Sequence, residues 1–490
     1  MNYISIEKEK NIIYPNKEEL IYPNKNYEEL PFKYEKISEN NKIFEMVRKS
    51  FHLMKMDEKN YGTKNWNPLG ERLIKEGNTV LIKPNLVLEK NHGGFGEECL
   101  YTNPSLVAAV IPYVLKALKG KGKIIVADAP VQSCDFEKLI NNSGYKDLVD
   151  YYNKKNQNIN IELKDLRGLI SKDENGILKQ EIVSQNDGGI VVDLGKDSEH
   201  ARLEEKDLKK VRITCYDPNE LLKHHNITIH EYLISKEALD ADVIIDIPKP
   251  KAHRKAGVTI SLKNFVGINT RKEYLPHHRV GNKENGGDEY EKKSILLKIS
   301  SKILDVSNIL KAKKKYKIGN IVTKISLIIS KIDEKIFSKE KHREGSWHGN
   351  DTIWRTIIDI NKIIKYADKN GTMKETEQRK IFAIADMIVV GEKEGPLLPS
   401  PKYGGIIAMG EDLVCFDEIV ATILGLNINK IPLFQHLREK RKYPIVEEKE
   451  YGIIVSNDEK LNNKTVSQIT KEDAINIEPS SGWKGYIELD

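Results

Sequence analysis

Thr79-Val-Leu-Ile-Lys83-Pro84-Asn85, the stretch from Asn103-Pro104 to about Lys119, and Lys123-Ile-Ile-Val-Ala127-Asp128-Ala129-Pro130 decide the fold class between them. The first is a short run of branched residues bounded by Gly77-Asn78 and Pro84-Asn85, the pattern of a buried strand that ends in a turn. In the second, Asn103 supplies an N-cap and Pro104 a first helical position, and Gly120 and Gly122 stop the helix. The third is another buried strand, closed by Asp128-Ala129-Pro130. Strand, helix, strand is a βαβ unit, and a crossover of that length joins parallel neighbours.

Outward from this unit the pattern repeats. Strands are expected at about 159–163, 189–194, 211–215, 243–247, 381–390, 404–409 and 452–455, and a helix from Val414 to Leu424 that stops at Gly425. The expected fold is an α/β protein with a Rossmann-like parallel sheet over 43–430 and insertions at about 165–210 and 293–341. An extended N-terminal arm covers 1–42, where IYPNKEEL and IYPNKNYEEL form a local duplication, and an appendage covers 431–490.

Composition narrows the class. Of the 490 residues 39% are hydrophobic and 31% charged, a globular balance. The net charge of +6 is uneven: residues 293–341 hold 13 lysines, no arginine and four acids, a net of +9, so the remainder is near −3. That is no nucleic-acid-type polycation, and nucleic acid is not an expected partner. Four scattered cysteines, none in a CxxC pair, make neither a disulfide framework nor a zinc or iron–sulfur motif. No apolar run approaches the roughly 20 residues of a membrane helix, and the first residues lack a signal-peptide core, so a cytoplasmic location is expected.

The chemistry concentrates in Pro248-Lys-Pro-Lys-Ala-His-Arg-Lys-Ala-Gly-Val-Thr-Ile-Ser-Leu-Lys-Asn264, directly after a buried strand, where parallel sheets bind ligands. From Lys249 to Lys272 run seven cations: Lys249, Lys251, Arg254, Lys255, Lys263, Arg271 and Lys272. With Thr259, Ser261 and Asn264 as short donors, the stretch suits a phosphate or carboxylate. Lys83, Asn85 and Asp128 end the first two strands and are expected in the same crevice. His253, Lys263 and Asp128 are the candidate catalytic residues, His253 as acid/base; Lys83, Asn85, Lys249, Lys251, Thr259, Ser261 and Asn264 are the anion-binding set. His277 and His278 form an adjacent pair able to bind a metal.

Three further stretches carry expectations. In Gly345-Ser-Trp-His-Gly-Asn-Asp-Thr-Ile-Trp354, Asn350 or Asp351 caps a helix, with Trp347 and His348 at an N-terminus that favours anions. Asp386, Glu392 and Glu394 follow a strand and could hold a cation or act as a base; a turn with solvated acids is the simpler reading. In 293–341, Ile321, Ile325, Ile328, Ile332 and Ile336 lie near helical spacing with lysines between. The favoured reading is a helical hairpin docked on the body, peripheral and with few contacts to the site; the other is a helix on an anionic membrane surface.

LIKPNLVL with TNPSLV, VADAP, DADVIIDIPKPKAHRKAGVTISLKNFVGI, and ADMIVVGEKEGPLLP with GEDLVCFDEIVATILG follow one another as in the bacterial domain of unknown function 362 family, which the chain resembles from about 79 to 425. YLPHHRVGNKENGGDEY and GSWHGNDTIWR resemble a subfamily found near surface-polysaccharide biosynthesis genes. The His…Gly…Ser…Lys…His order is also similar to nickel-dependent lactate racemases. That resemblance implies that His253 moves a proton, Lys263 tethers a nickel pincer nucleotide, and His278 or His277 binds nickel. This chain has Ser261-Leu262 where the racemases carry paired glycine, and Lys83-Pro84-Asn85 where they carry Thr-Arg. The expected function is an enzyme acting on an anionic sugar, hydroxy acid or phosphate-bearing metabolite, by racemase- or epimerase-like or redox chemistry. The alternative is a non-catalytic binding or scaffold protein at a membrane surface, reached through 293–341.

Overall fold

The computed structural model describes residues 2–70, 72–174, 177–183, 188–447 and 450–490. A ten-stranded sheet runs through it: β1 (Asn2–Lys8), β2 (Thr79–Pro84), β3 (Lys123–Asp128), β4 (Ile161–Asp165), β5 (Val243–Ile247), β6 (Lys251–His253), β7 (Gly257–Thr259), β8 (Lys380–Glu394), β9 (Leu398–Gly410) and β10 (Gly452–Ser456). Eight strands lie in the order β10-β1-β9-β8-β5-β2-β3-β4, with the short β6–β7 hairpin paired to β8 beyond them. From β8 to β4 all neighbours are parallel, as the βαβ reading requires. The long β8–β9 hairpin is antiparallel and turns β9 against the rest.

The period-2 pattern of buried strands places alternate residues on opposite faces. Val80, Ile82, Ile124 and Val126 enter the core under α1 (Ile43–Leu53) and α2 (Pro104–Leu118). Leu81, Ile125 and Ile244 enter the core on the other face. That face is covered by α6 (Ile353–Tyr366) and α7 (Leu413–Ile423), and at the C-terminal end of β5 lies the one-turn α3 (Ser261–Asn264). The Asn103 side chain caps α2 on Ser105 N, and left-handed Lys119 and Gly120 end it, while Gly425 at φ +93° follows α7.

The lysine-rich insertion is a hairpin of α4 (Ile295–Ala312) and α5 (Tyr316–Ile336). It is tied to the body by an Arg212–Asp305 ion pair (3.0 Å) and a Ser301–Glu289 hydrogen bond (2.6 Å).

Several elements sit differently from expectation. The first residues of the expected arm form β1, held between β9 and β10, because Ile4 and Ile6 are buried while Ser5 and Glu7 take the opposite face. The following turns bury Leu20, Tyr27, Leu30 and Tyr34 against the α2 side. Gly189–Asp193 and Val211–Arg212 leave the main sheet and pair in two-stranded ribbons with Glu231–Ser235 and His278–Arg279. The C-terminal segment supplies β10 and the buried Trp483, whose ring lies against Gly257. Gly257 has φ +78°, and a Cβ there would stand 3.1 Å from the indole.

Candidate anion-binding site

The parallel strands deliver their C-terminal ends to one place. Lys83 Nζ pairs with Asp128 Oδ1 at 2.8 Å, both side chains nearly inaccessible, and Asp128 also accepts from Leu86 N at 2.8 Å. Lys249 pairs with Asp386 at 3.0 Å and donates to Tyr14 Oη at 2.6 Å. Lys251 donates to Asn85 Oδ1. Asp246, at the end of β5, accepts from Ser261 Oγ (2.6 Å) and Asn264 Nδ2 (2.7 Å), and Asp417 accepts the Ser261 and Leu262 amides that open α3.

These bonds re-sort the expected anion set. Lys83 and Lys249 are neutralised by buried aspartates, and Ser261 and Asn264 donate to Asp246. Asp128 serves as counter-ion to Lys83. Thr259 Oγ1 is buried with no partner among the described residues. Asp386, for which a cation, a base role or simple solvation were all open, is buried and holds Lys249, while Glu392 and Glu394 accept the Glu478 and Ser481 amides. Asn350 takes the capping role on α6, accepting from Thr352 N and Ile353 N; Trp347 donates to Asp288 O, and His348 stacks on Tyr486.

What remains is a group of lysines outside any ion pair, with the Glu344 carboxylate near Lys255. Among the described residues Lys251, Lys255, Lys263 and Lys272 form no ion pair; Lys255 donates to Thr214 Oγ1 (2.9 Å) and Lys272 to Ala129 O (3.1 Å), while Lys263 Nζ has no partner at all. Burial, and then the neighbouring Lys272, Lys83 and Lys255, lower Lys263 to about 7. Burial, against the pull of Asp128, lowers Lys272 to about 8. An anion placed between these lysines would raise both values back toward the ordinary lysine range.

The cavity beside this group has a volume of about 370 Å³. His253, Arg254, Lys255, Lys272 and His277 line it on the basic side; Val131, Ile213, Tyr216 and Leu397 add apolar wall. Lys311 and Tyr316, flanking the α4–α5 turn, reach its lining, so the insertion, expected to make few contacts to the site, supplies two of its wall residues. The Ile213–Tyr216 segment carried no signal in the sequence beyond a short apolar run.

The two cavity histidines are fixed in opposite tautomers. His253 Nδ1 lies 3.1 Å from the Lys255 and Ala256 amides, which can only donate, so Nδ1 accepts and the proton of the neutral ring sits on Nε2. His277 Nδ1 lies 2.7 Å from Leu275 O, which can only accept, so Nδ1 carries the proton and Nε2 keeps its lone pair. Burial, then Lys263 beside His253 and Lys255 beside His277, hold both rings well below the ordinary histidine range, hence neutral. His253 therefore presents a donor and His277 an acceptor. His278 does not join them: it lines a separate small cavity with Arg212 and Glu289. Among the described residues no three His, Cys, Asp or Glu side chains come together to hold a metal ion. Of the two residues expected to bind nickel, His277 lines the cavity with His253 and His278 does not.

One consequence is measurable. Sulfate keeps its charge from pH 6 to 9, while free Lys263 and Lys272 lose theirs around 7 and 8. Its affinity should fall as pH rises, by up to about a thousandfold if both ammonium groups are required. In the ligand-free protein the same two groups cost stability below their folded pKa, and that cost fades as pH rises toward the ordinary lysine range. Calorimetric titration across that range checks the first statement; an affinity independent of pH would show that neither lysine meets the anion.

The family model described as domain of unknown function (DUF362) matches residues 80–175 and 200–422, which include Lys83, Asp128, Asp246 and the basic stretch after β5. The chain belongs to the DUF362 family. A curated relative, the thylakoid-associated protein sll1697 of Synechocystis sp. (strain ATCC 27184 / PCC 6803 / Kazusa), is 29% identical over 202 residues. That match spans 41% of this chain and 42% of the relative. A crystal structure of a Thermotoga maritima protein superposes over 75% of this chain and 55% of its own with 10% identity and a TM-score of 0.28, too slight a likeness to carry an inference. No helix among the described residues is long and apolar enough to cross a membrane.

Proposed function

We propose that this DUF362 protein is an enzyme that binds a carboxylate- or phosphate-bearing metabolite, such as an acidic sugar or hydroxy acid, and moves a proton at carbon. The observation that carries the reading is the pairing of a donor, His253 Nε2–H, with an acceptor, His277 Nε2, on one cavity beside lysines that form no ion pair among the described residues. Lys255, Lys263 and Lys272 hold the anion, and its charge raises their pKa values back toward normal. His277 Nε2 takes the proton from the carbon next to the carboxylate. The electron pair of the broken C–H bond moves onto the carboxylate or carbonyl oxygen, where His253 Nε2–H and the lysines stabilise it. The proton then returns from His277 to the same or a neighbouring atom. His253 acts here as a hydrogen-bond donor, since giving up its proton from the neutral ring would leave an imidazolate.

The ligand class can be tested without knowing the substrate. Small molecules released on denaturing freshly purified wild type are compared by mass spectrometry with those from Lys263→Gln/Lys272→Gln. The expected result is an anionic metabolite enriched in the wild type and absent from the double variant. A folded wild type that retains only neutral molecules, or binds no carboxylate or phosphate from a panel, would overturn the reading.

A further inference from the structure

Most amphipathic helices turn their large apolar residues inward. The outer helix α5 does the reverse. Its buried residues are Gly319, Ser326, Ser330 and Asp333. Against them α4 offers Ser300 and Ser307: the Ser300 and Ser326 hydroxyls meet at 2.8 Å, and Ser307 bonds Thr323 Oγ1 (2.6 Å) and Gly319 O (2.7 Å). Gly319 is required there, because a Cβ would lie 2.7 Å from Lys311 Cγ. The hairpin is thus joined through small and hydroxylated residues, a seam that needs no large apolar side chains.

The isoleucines face the other way. Ile318, Ile321, Ile325, Ile328, Ile332 and Ile336 recur at helical spacing on the side away from α4, each 42–67% exposed. Ile295, Ile299 and Val306 of α4 are exposed as well. Of the 22 exposed large hydrophobic residues among the described residues, 11 fall between Ile295 and Phe337, a concentration beyond ordinary scatter. Exposed Lys317, Lys324, Lys331 and Lys335 run alongside the α5 stripe.

We infer that the α4–α5 hairpin is a docking element for an anionic lipid bilayer, lying in the plane of the interface with the α5 isoleucine stripe among the acyl chains and its lysines at the headgroups. Charge selects the occupant. The segment 293–341 carries a net +9, which a second copy of this chain would meet with the same sign and an anionic leaflet would neutralise. Each lysine near such a surface raises partitioning about fivefold, and the isoleucines supply the apolar half of the two signals that stable peripheral binding takes. The proposal is independent of what the cavity binds.

The test is flotation of the full chain with vesicles of phosphatidylcholine alone and of phosphatidylcholine mixed with phosphatidylglycerol. Wild type should rise with the anionic vesicles, at least about tenfold more than with the neutral ones, and less so as salt screens the lysines. Ile321→Ser/Ile325→Ser/Ile328→Ser should lose at least about tenfold in partitioning, with unchanged circular dichroism and unchanged sulfate binding in the cavity. Wild type that stays with the unbound fraction would overturn the proposal. So would a triple variant that binds like wild type, and so would an unlipidated dimer that the triple variant dissolves, which would make the patch a self-association face.

Discussion

Asp128→Asn is expected to lower the unfolding free energy by about 3–5 kcal/mol, the cost of removing one partner from a buried ion pair. The Lys83 ammonium is fully buried and the Asp128 carboxylate 3% exposed, so water screens neither. Asparagine keeps an oxygen for the Leu86 amide but leaves Lys83 without its opposite charge. The nearby Asp246 is a poor substitute: burial pushes it up to about 7, and its oxygens already serve Ser261 and Asn264. The double variant Lys83→Met/Asp128→Asn should recover a large part of the loss, because no uncompensated charge remains. Urea unfolding of the four proteins, with equal m-values, measures the coupling. The same cycle separates two roles for Asp128. A single variant as stable as wild type, yet unable to turn over a bound ligand, would return it to the catalytic set and remove the counter-ion assignment.

The second large effect concerns His277. In D2O the protein should exchange the carbon-bound hydrogen next to the carboxylate of a molecule that it binds, an event visible by NMR even where the reaction regenerates its substrate. His277→Gln should slow this exchange by about 10²–10⁴-fold, the usual contribution of a positioned base. His253→Gln should be milder, since a glutamine amide still donates a hydrogen bond, whereas His253→Leu should approach the His277 variant. If bound carboxylates never exchange, or if His277→Gln exchanges at the wild-type rate, His277 is not the base. Anion binding through the lysines would survive that result, so the two halves of the proposed function fail separately.

The sequence makes the sheet legible where structure is local. β2, α2 and β3 each carry their own start and stop, so the βαβ unit and the crevice at its strand ends follow from neighbouring residues. The basic block after β5 is legible for the same reason. What it conceals is which cations are spent. Lys83 and Asp128 come from neighbouring strands separated by a whole helix, and Lys249 meets Asp386 from a strand much later in the chain. Nothing within a few residues of Lys263 distinguishes it from Lys249, yet one has no partner and the other is neutralised. The histidine tautomers are equally hidden, since they depend on a turn amide at Ala256 and a carbonyl at Leu275. β1 is a milder case: Ile4 and Ile6 alternate as a strand should, but both of its partners lie at the far end of the chain.

That last pairing bears on how the protein is made. β1 leaves a ribosome well ahead of its neighbours β9 and β10, which begin at residues 398 and 452. At roughly 5–20 residues per second, β1 waits on the order of 20–80 seconds with an unsatisfied edge. Most of the β2–β5 core can assemble in that interval, whereas the edge with β1 closes only after β9 has been made. Nascent chains arrested before β9 should therefore remain sensitive to proteolysis near residues 2–8, and a chaperone that shields short apolar strands has its natural window there.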